Sequence, residues 1–132
     1  MTFMITVCNF SHPLSAEARD YISREWGTQD PDAFIDVRVQ IDRSAPLLPQ
    51  VNAIITDATT RAGGNILNID CIVLPGLSDV AFLLAEHFEH ANVIRMNAVP
   101  NSLPPKFMPC ELIRSKNYRK PRPFSRLHGE TW

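Results

Sequence analysis

The sequence has no run of about twenty apolar residues that would span a bilayer. Its N-terminal MTFMITVCNF carries neither a basic leader nor a small-residue cleavage site. The expectation is a soluble, cytoplasmic protein with no membrane partner. Cysteine is scarce: Cys8, Cys71 and Cys110 form an odd set without CxxC spacing, each inside an apolar or strand-like run. That favours buried free thiols over a disulfide or a metal site. Neither GxGxxG nor GxxxxGK[ST] occurs, so ordinary dinucleotide and P-loop chemistry has no motif behind it. No cofactor is expected, and there is no internal repeat or low-complexity tract.

What is present suits one compact domain: 132 residues, 45% of them apolar, enough for a single core but not for two. The net charge of −1 hides an asymmetry. Six of the thirteen basic residues (Arg114, Lys116, Arg119, Lys120, Arg122 and Arg126) fall in the last segment beside a single acid, Glu130. The chain therefore divides into a domain over 1–113 and a basic tail over 114–132, in which Pro121 and Pro123 break any helix. Such a tail suits contact with nucleic acid or another acidic surface, or a solvated extension that packs on the acidic body.

Along the chain, Met1 to Phe10 predicts a strand buried on both faces. Ser15 is placed to cap a helix whose apolar face is Ala18, Tyr21, Ile22 and Trp26, stopped at Gly27. A polar link over 29–32 leads to an alternating strand from Phe34 to Ile41. Pro46 starts a second helix with Val51, Ile54, Ile55, Ala58 and Ala62 on its apolar face, ended by Gly63-Gly64. The third unit repeats the plan, with a strand over Ile69–Leu74, a Pro75-Gly76-Leu77 turn, and Ser78 capping a helix through His90. Three such units predict an α/β fold with a mainly parallel sheet and helices on both faces. The period then changes: Val93–Val99 and Lys106–Ile113 read as a C-terminal hairpin closing one edge.

In an open α/β sheet, ligands bind beyond the carboxyl ends of the strands. The loops there are Asn9-Phe10-Ser11-His12, Asp42-Arg43-Ser44 and Pro75-Gly76-Leu77-Ser78, each with a serine. Helix N-termini at such a rim favour phosphate or another anion. His12 is suited to acid–base work near neutral pH, and Ser11 to hydrogen bonding a phosphate. These two are the catalytic candidates, although adjacent turn residues diverge and no carboxylate can be assigned behind His12 to complete a triad. Arg43, at a strand end, leads the candidate cations, ahead of Arg95 and Lys106. His87 and His90, interleaved with Glu86 and Glu89, read as the polar face of the third helix; no third ligand follows at metal spacing, so no metal is expected.

Three stretches, NFSHPLS, VLPGLSDVAFLLAEHFEH and IRMNAVPNSLPPKFMPCELI, resemble in that order a family of small CRISPR-associated accessory proteins of type III loci. In the last stretch Arg95, Val99, Pro100, Ser102, Pro104, Pro105, Lys106, Phe107 and Glu111 fit the family's hairpin pattern. The resemblance covers residues 1 to 113. It implies a Rossmann-like subunit similar to the sensor domains that bind cyclic oligoadenylates, acting as a homodimer with the ligand near its two-fold axis. It further implies that cyclic tetra-adenylate is the messenger. The protein would dampen signalling by sequestering the ring or by cutting it without metal, through attack of a ligand 2′-hydroxyl on the neighbouring phosphate. The expected ligand set joins Asn101, Ser102 and Lys106 of the hairpin to the strand-end loops. Two departures stand out: Leu74 takes the place of an Asn before the family's loop proline, and the basic tail has no counterpart. The competing readings are a nucleic-acid-binding accessory protein acting through the tail, and a small metabolic enzyme on the same fold.

Overall fold

A computed structural model describes residues 5–26 and 33–116. The first residues of the expected opening strand, the Gly27 helix stop, the 29–32 link and the tail beyond Lys116 lie outside the described residues. The described chain runs β1 (Val7–Asn9), α1 (Ala16–Trp26), β2 (Phe34–Asp36), α2 (Leu47–Arg61), a 3-10 turn (Ile66–Asn68), β3 (Cys71–Val73), α3 (Ser78–His87), β4 (Asn92–Ala98) and β5 (Phe107–Ile113). The result is an α/β fold with one five-stranded sheet in the order β2-β1-β3-β4-β5. The first four strands are parallel, and β5 returns antiparallel along β4.

β1 and β3 are buried on both faces, as central parallel strands must be when helices cover each side. Their side chains alternate between two apolar clusters. Cys8 and Ile72 point into one with Val51, Ile54, Ile55 and Ala58 of α2 and Val80 and Leu84 of α3. Val7, Cys71 and Val73 point into the other with Ala18 and Ile22 of α1. Burial pushes the Cys8 thiol up to about 12, and that of Cys71 well above its ordinary value.

The helix ends follow their side chains. The Ser15 hydroxyl accepts from the Ala18 N–H at 3.0 Å, the cap expected of it. At the end of α2 the Gly63 N–H donates to Thr60 O at 3.1 Å and the Gly64 N–H to Thr59 O at 2.9 Å. Both glycines have left-handed φ, 89° and 87°, which this closing motif requires. Pro46 stands at the N-cap position, one residue outside the helix that the sequence has it start.

Five further expectations are corrected. β2 ends at Asp36 instead of reaching Ile41, because only Val37 continues the pairing, through its N–H to Asn9 O at 2.8 Å. Ser78 is the first residue of α3 and not its cap. Leu77 holds the cap position without a side-chain bond, and Asp79 Oδ1 takes the Val80 N–H at 2.9 Å instead. α3 stops at His87, and a turn closed by the Ala91 N–H on Phe88 O folds His90 inward. His90 is buried, its Nε2 donating toward Ile66 O at 3.1 Å and Ile69 O at 3.2 Å, so it is no part of a polar face. Cys110 is exposed, because the β4–β5 register slips there: Arg95 faces Glu111 while Met96 faces Pro109, leaving Cys110 as the bulged residue.

Candidate functional site

The strand order places β1 between β2 and β3, so the connections from β1 and β3 leave toward opposite faces: α1 on one, α3 on the other. A crevice is expected where the loops at such a reversal part. The β1–α1 turn, residues 10–15, stands at that point and is held from beneath by Asn9. Its side chain is 1% exposed and fully engaged. Asn9 Oδ1 accepts the Ser11 N–H at 3.0 Å, while Asn9 Nδ2 donates to His12 O and to Asp36 Oδ1, both at 2.8 Å. An Asn here fixes the turn because one side-chain amide accepts from Ser11 and donates to His12, and an ionised Asp could only accept.

Asp36 extends the arrangement. Its second oxygen, Oδ2, pairs with Arg19 Nη2 of α1 at 2.7 Å, and its carbonyl accepts from Arg61 Nη1 of α2 at 2.7 Å. The Arg19 guanidinium lies over the Phe34 ring, 5.4 Å from its centroid. Strand, turn and both helix layers thus meet at one residue, α1 through the Asp36 carboxylate and α2 through its carbonyl. By contrast, neither the Ser11 hydroxyl nor the exposed His12 ring has a hydrogen-bond partner among the described residues.

Two cavities flank the turn and share Ser11, His12 and Pro13 as a common wall. The first, about 410 Å³, has an apolar floor of Leu14, Val73, Met96 and Phe107, and Glu17 and Lys106 at its edge. The second, about 700 Å³, lies on the β2 side between Asp36–Gln40 and Pro75–Leu77. Among the expected site residues, Asn9, Ser11, His12 and Lys106 meet at the first cavity, and Phe10, Ser11, His12, Pro75, Gly76 and Leu77 at the second. Phe10 points mainly into the core, its ring 5.5 Å from that of Phe88.

Arg43, Ser44, Ser78, Asn101 and Ser102 line neither cavity. Arg43 forks onto Asp79 at the start of α3, 2.7 and 3.3 Å away, tying the loop after β2 to that helix. The hydrogen bonds and charge of Arg43 hold the Asp79 carboxyl below the ordinary carboxylate value. Ser44 donates to Asp42 Oδ1 at 2.6 Å, and its hydroxyl and N–H lower the Asp42 pKa. Asn101 supplies the left-handed residue of the β4–β5 loop, with φ 61°. The Ser102 hydroxyl donates to Val99 O and accepts the Lys106 N–H, both at 2.9 Å, so it fixes the loop that holds Lys106 over the first cavity.

Two of the three helix N-termini at this rim already carry an acid, and the first turn of α2 has none. Asp79 of α3 is engaged by Arg43, and Glu17 of α1 faces Lys106 at 3.4 Å with both side chains more than half exposed. The Glu17–Lys106 contact is a weak surface pair that an incoming anion can replace on Lys106. Sequence reasoning overlooked Arg19, Asp36 and Arg38. Arg38 is exposed, lines the second cavity and makes no ion pair among the described residues. An acid at the end of the second strand of a βαβ unit is the signal that marks Asp36, and it was hidden because the alternation carries the expected strand on to Ile41.

No group of three or more His, Cys, Asp or Glu side chains suited to a metal ion occurs among the described residues, and no helix among them is long and apolar enough to cross a membrane. Comparison with protein-family models, with curated proteins and with solved structures finds no match to this chain.

Proposed function

We propose that the chain is a Rossmann-like domain that binds a cyclic oligoadenylate, cyclic tetra-adenylate in the first instance, and dampens type III CRISPR signalling by withdrawing it. The observation that carries this reading is the pair of cavities on either side of Ser11-His12-Pro13 at the carboxyl ends of the parallel strands. The strand order 2-1-3-4-5, with ligands at the β1/β3 reversal, is a recurrent nucleotide-binding arrangement. Lys106 and Arg38 supply positive charge at the two outer walls, and the turn between them offers a hydroxyl and an imidazole without partners among the described residues. A ring of four nucleotides exceeds either cavity, which suits two copies of the chain sharing one ligand about a two-fold axis.

Sequestration and cleavage differ only in what is bound best. Holding the ground state tightly withdraws the messenger; binding the transition state more tightly cuts it. Cleavage here consists of attack by a ribose 2′-hydroxyl on the adjacent phosphorus, forming the new O–P bond as the 5′-oxygen departs. The 2′-hydroxyl loses its proton, the 5′-oxygen gains one, and the product ends in a 2′,3′-cyclic phosphate. In-line orientation alone contributes roughly 7–11 kcal/mol at its best. In this reading His12 moves the proton, and Lys106 or Arg38 stabilises the charge on the phosphorane. No nucleophile from the protein is needed, which suits a rim with no serine–histidine–carboxylate triad.

The test is incubation of the protein with labelled cyclic tetra-adenylate in the presence of a chelator. Linear products identify an enzyme, and a stoichiometric complex with intact ring identifies a sequestering protein. Neither binding nor cleavage, with this ring or with rings of three and six, removes the proposal.

A further inference from the structure

The Ser11–Pro13 turn is a ridge with a cavity on each side, and the two cavities are built alike. Each has an apolar surface near the turn: Leu14, Met96 and Phe107 in one, Val39 and Leu77 in the other. Each has one basic side chain at its edge, Lys106 from the hairpin and Arg38 from the segment after β2. The ridge itself presents the two polar groups without partners among the described residues, the Ser11 hydroxyl and the His12 ring. A ligand with one nucleoside fills one side and leaves the other empty. A ligand with two nucleosides joined by a phosphodiester fills both and rests its phosphate on the ridge.

We infer that the unit this site reads is a nucleoside–phosphodiester–nucleoside step, one nucleoside per cavity, with the linking phosphate against Ser11 and His12. This rests on the nucleotide reading above and specifies it. Asp36 also lines the second cavity, its carboxylate held by Asn9 and neutralised by Arg19 while partly exposed, so it offers a ribose hydroxyl an acceptor without adding net negative charge.

Calorimetry with linear diadenylate, ApA, and with adenosine monophosphate tests the assignment on the whole chain. The expected result is at least ten-fold tighter binding of ApA, with Arg38→Ala and Lys106→Ala each weakening ApA several-fold at unchanged melting temperature. Equal affinity for the two ligands, or a loss confined to one of the two variants, overturns it. The two readings fail separately. ApA bound as expected by a protein that ignores cyclic tetra-adenylate removes the messenger and keeps the two-cavity unit. Cyclic tetra-adenylate bound with full affinity by Arg38→Ala removes the two-cavity unit and keeps the messenger.

Discussion

Asn9 and Asp36 face each other in register on adjacent parallel strands, and the Asn9 amide donates to the Asp36 carboxylate at 2.8 Å while also closing the Ser11–His12 turn. One buried side chain therefore ties the sheet to the rim. Asn9→Ala strips the Ser11 N–H, the His12 carbonyl and Asp36 of a partner each, and unfolding in urea is expected to show a loss of about 1–3 kcal/mol. Asp36→Ala removes the other half of the same contact. The double variant is expected to lose less than the sum of the singles, the sign of a shared interaction.

Ser11 and His12 behave oppositely if they serve the ligand. Their side chains have no partners among the described residues, so Ser11→Ala and His12→Ala are expected to melt within a degree or two of the parent. Ligand affinity or turnover falls, at least ten-fold for the His12 variant if it moves a proton. A collapse of melting temperature in either variant makes the turn structural and ends its assignment as a site.

Arg43 was the cation best placed by the sequence, but its guanidinium is engaged by Asp79 away from both cavities. Arg43→Ala is therefore expected to leave ligand affinity unchanged. Asp79 has its pKa lowered from the ordinary 3.8 by the Arg43 hydrogen bonds. A depressed carboxyl contributes stability above its unfolded pKa and loses it as the pH falls through the folded value. Acid unfolding below pH 3.8 should thus be slightly less steep in Arg43→Ala, and the difference should vanish in high salt because both side chains are about half exposed.

The thiols give a reading of the core. Cys8 and Cys71 are fully buried and Cys110 is exposed on its bulge. A disulfide reagent at neutral pH is expected to modify one thiol of three in the native protein and all three in denaturant. Because burial raises Cys8 from 9.0 to about 12, the unfolded thiol ionises first, and the stability present below pH 9 declines between those values. Cys8→Ala should make the decline in an alkaline unfolding series shallower, with the buried Cys71 thiol supplying what remains.

Much of this frame is local and therefore legible. The buried runs of β1 and β3, the Ser15 cap, the Gly63-Gly64 stop and the hairpin each follow from residues within one or two turns of each other. What escaped depends on distant partners. β2 alternates as far as Ile41, yet a strand persists only where a neighbour pairs with it, and beyond Val37 none does. That early end frees Arg38 and Gln40 to line a cavity. His90 looked like a solvent-facing helix residue until carbonyls more than twenty positions earlier gave its ring a buried place. Arg19 and Asp36, seventeen residues apart, meet only once α1 folds back over the sheet. In the same way Lys106 reaches Glu17 across 89 residues of chain, a contact that no window of sequence contains.

The most direct test is equilibrium binding of labelled cyclic tetra-adenylate to the intact chain in chelator, with the products resolved by chromatography. A saturable complex of one ring per two chains is expected, recovered either intact or as linear adenylates ending in a 2′,3′-cyclic phosphate, and weakened in His12→Ala and Lys106→Ala. A chain that leaves the ring both unbound and uncut at micromolar concentration contradicts it.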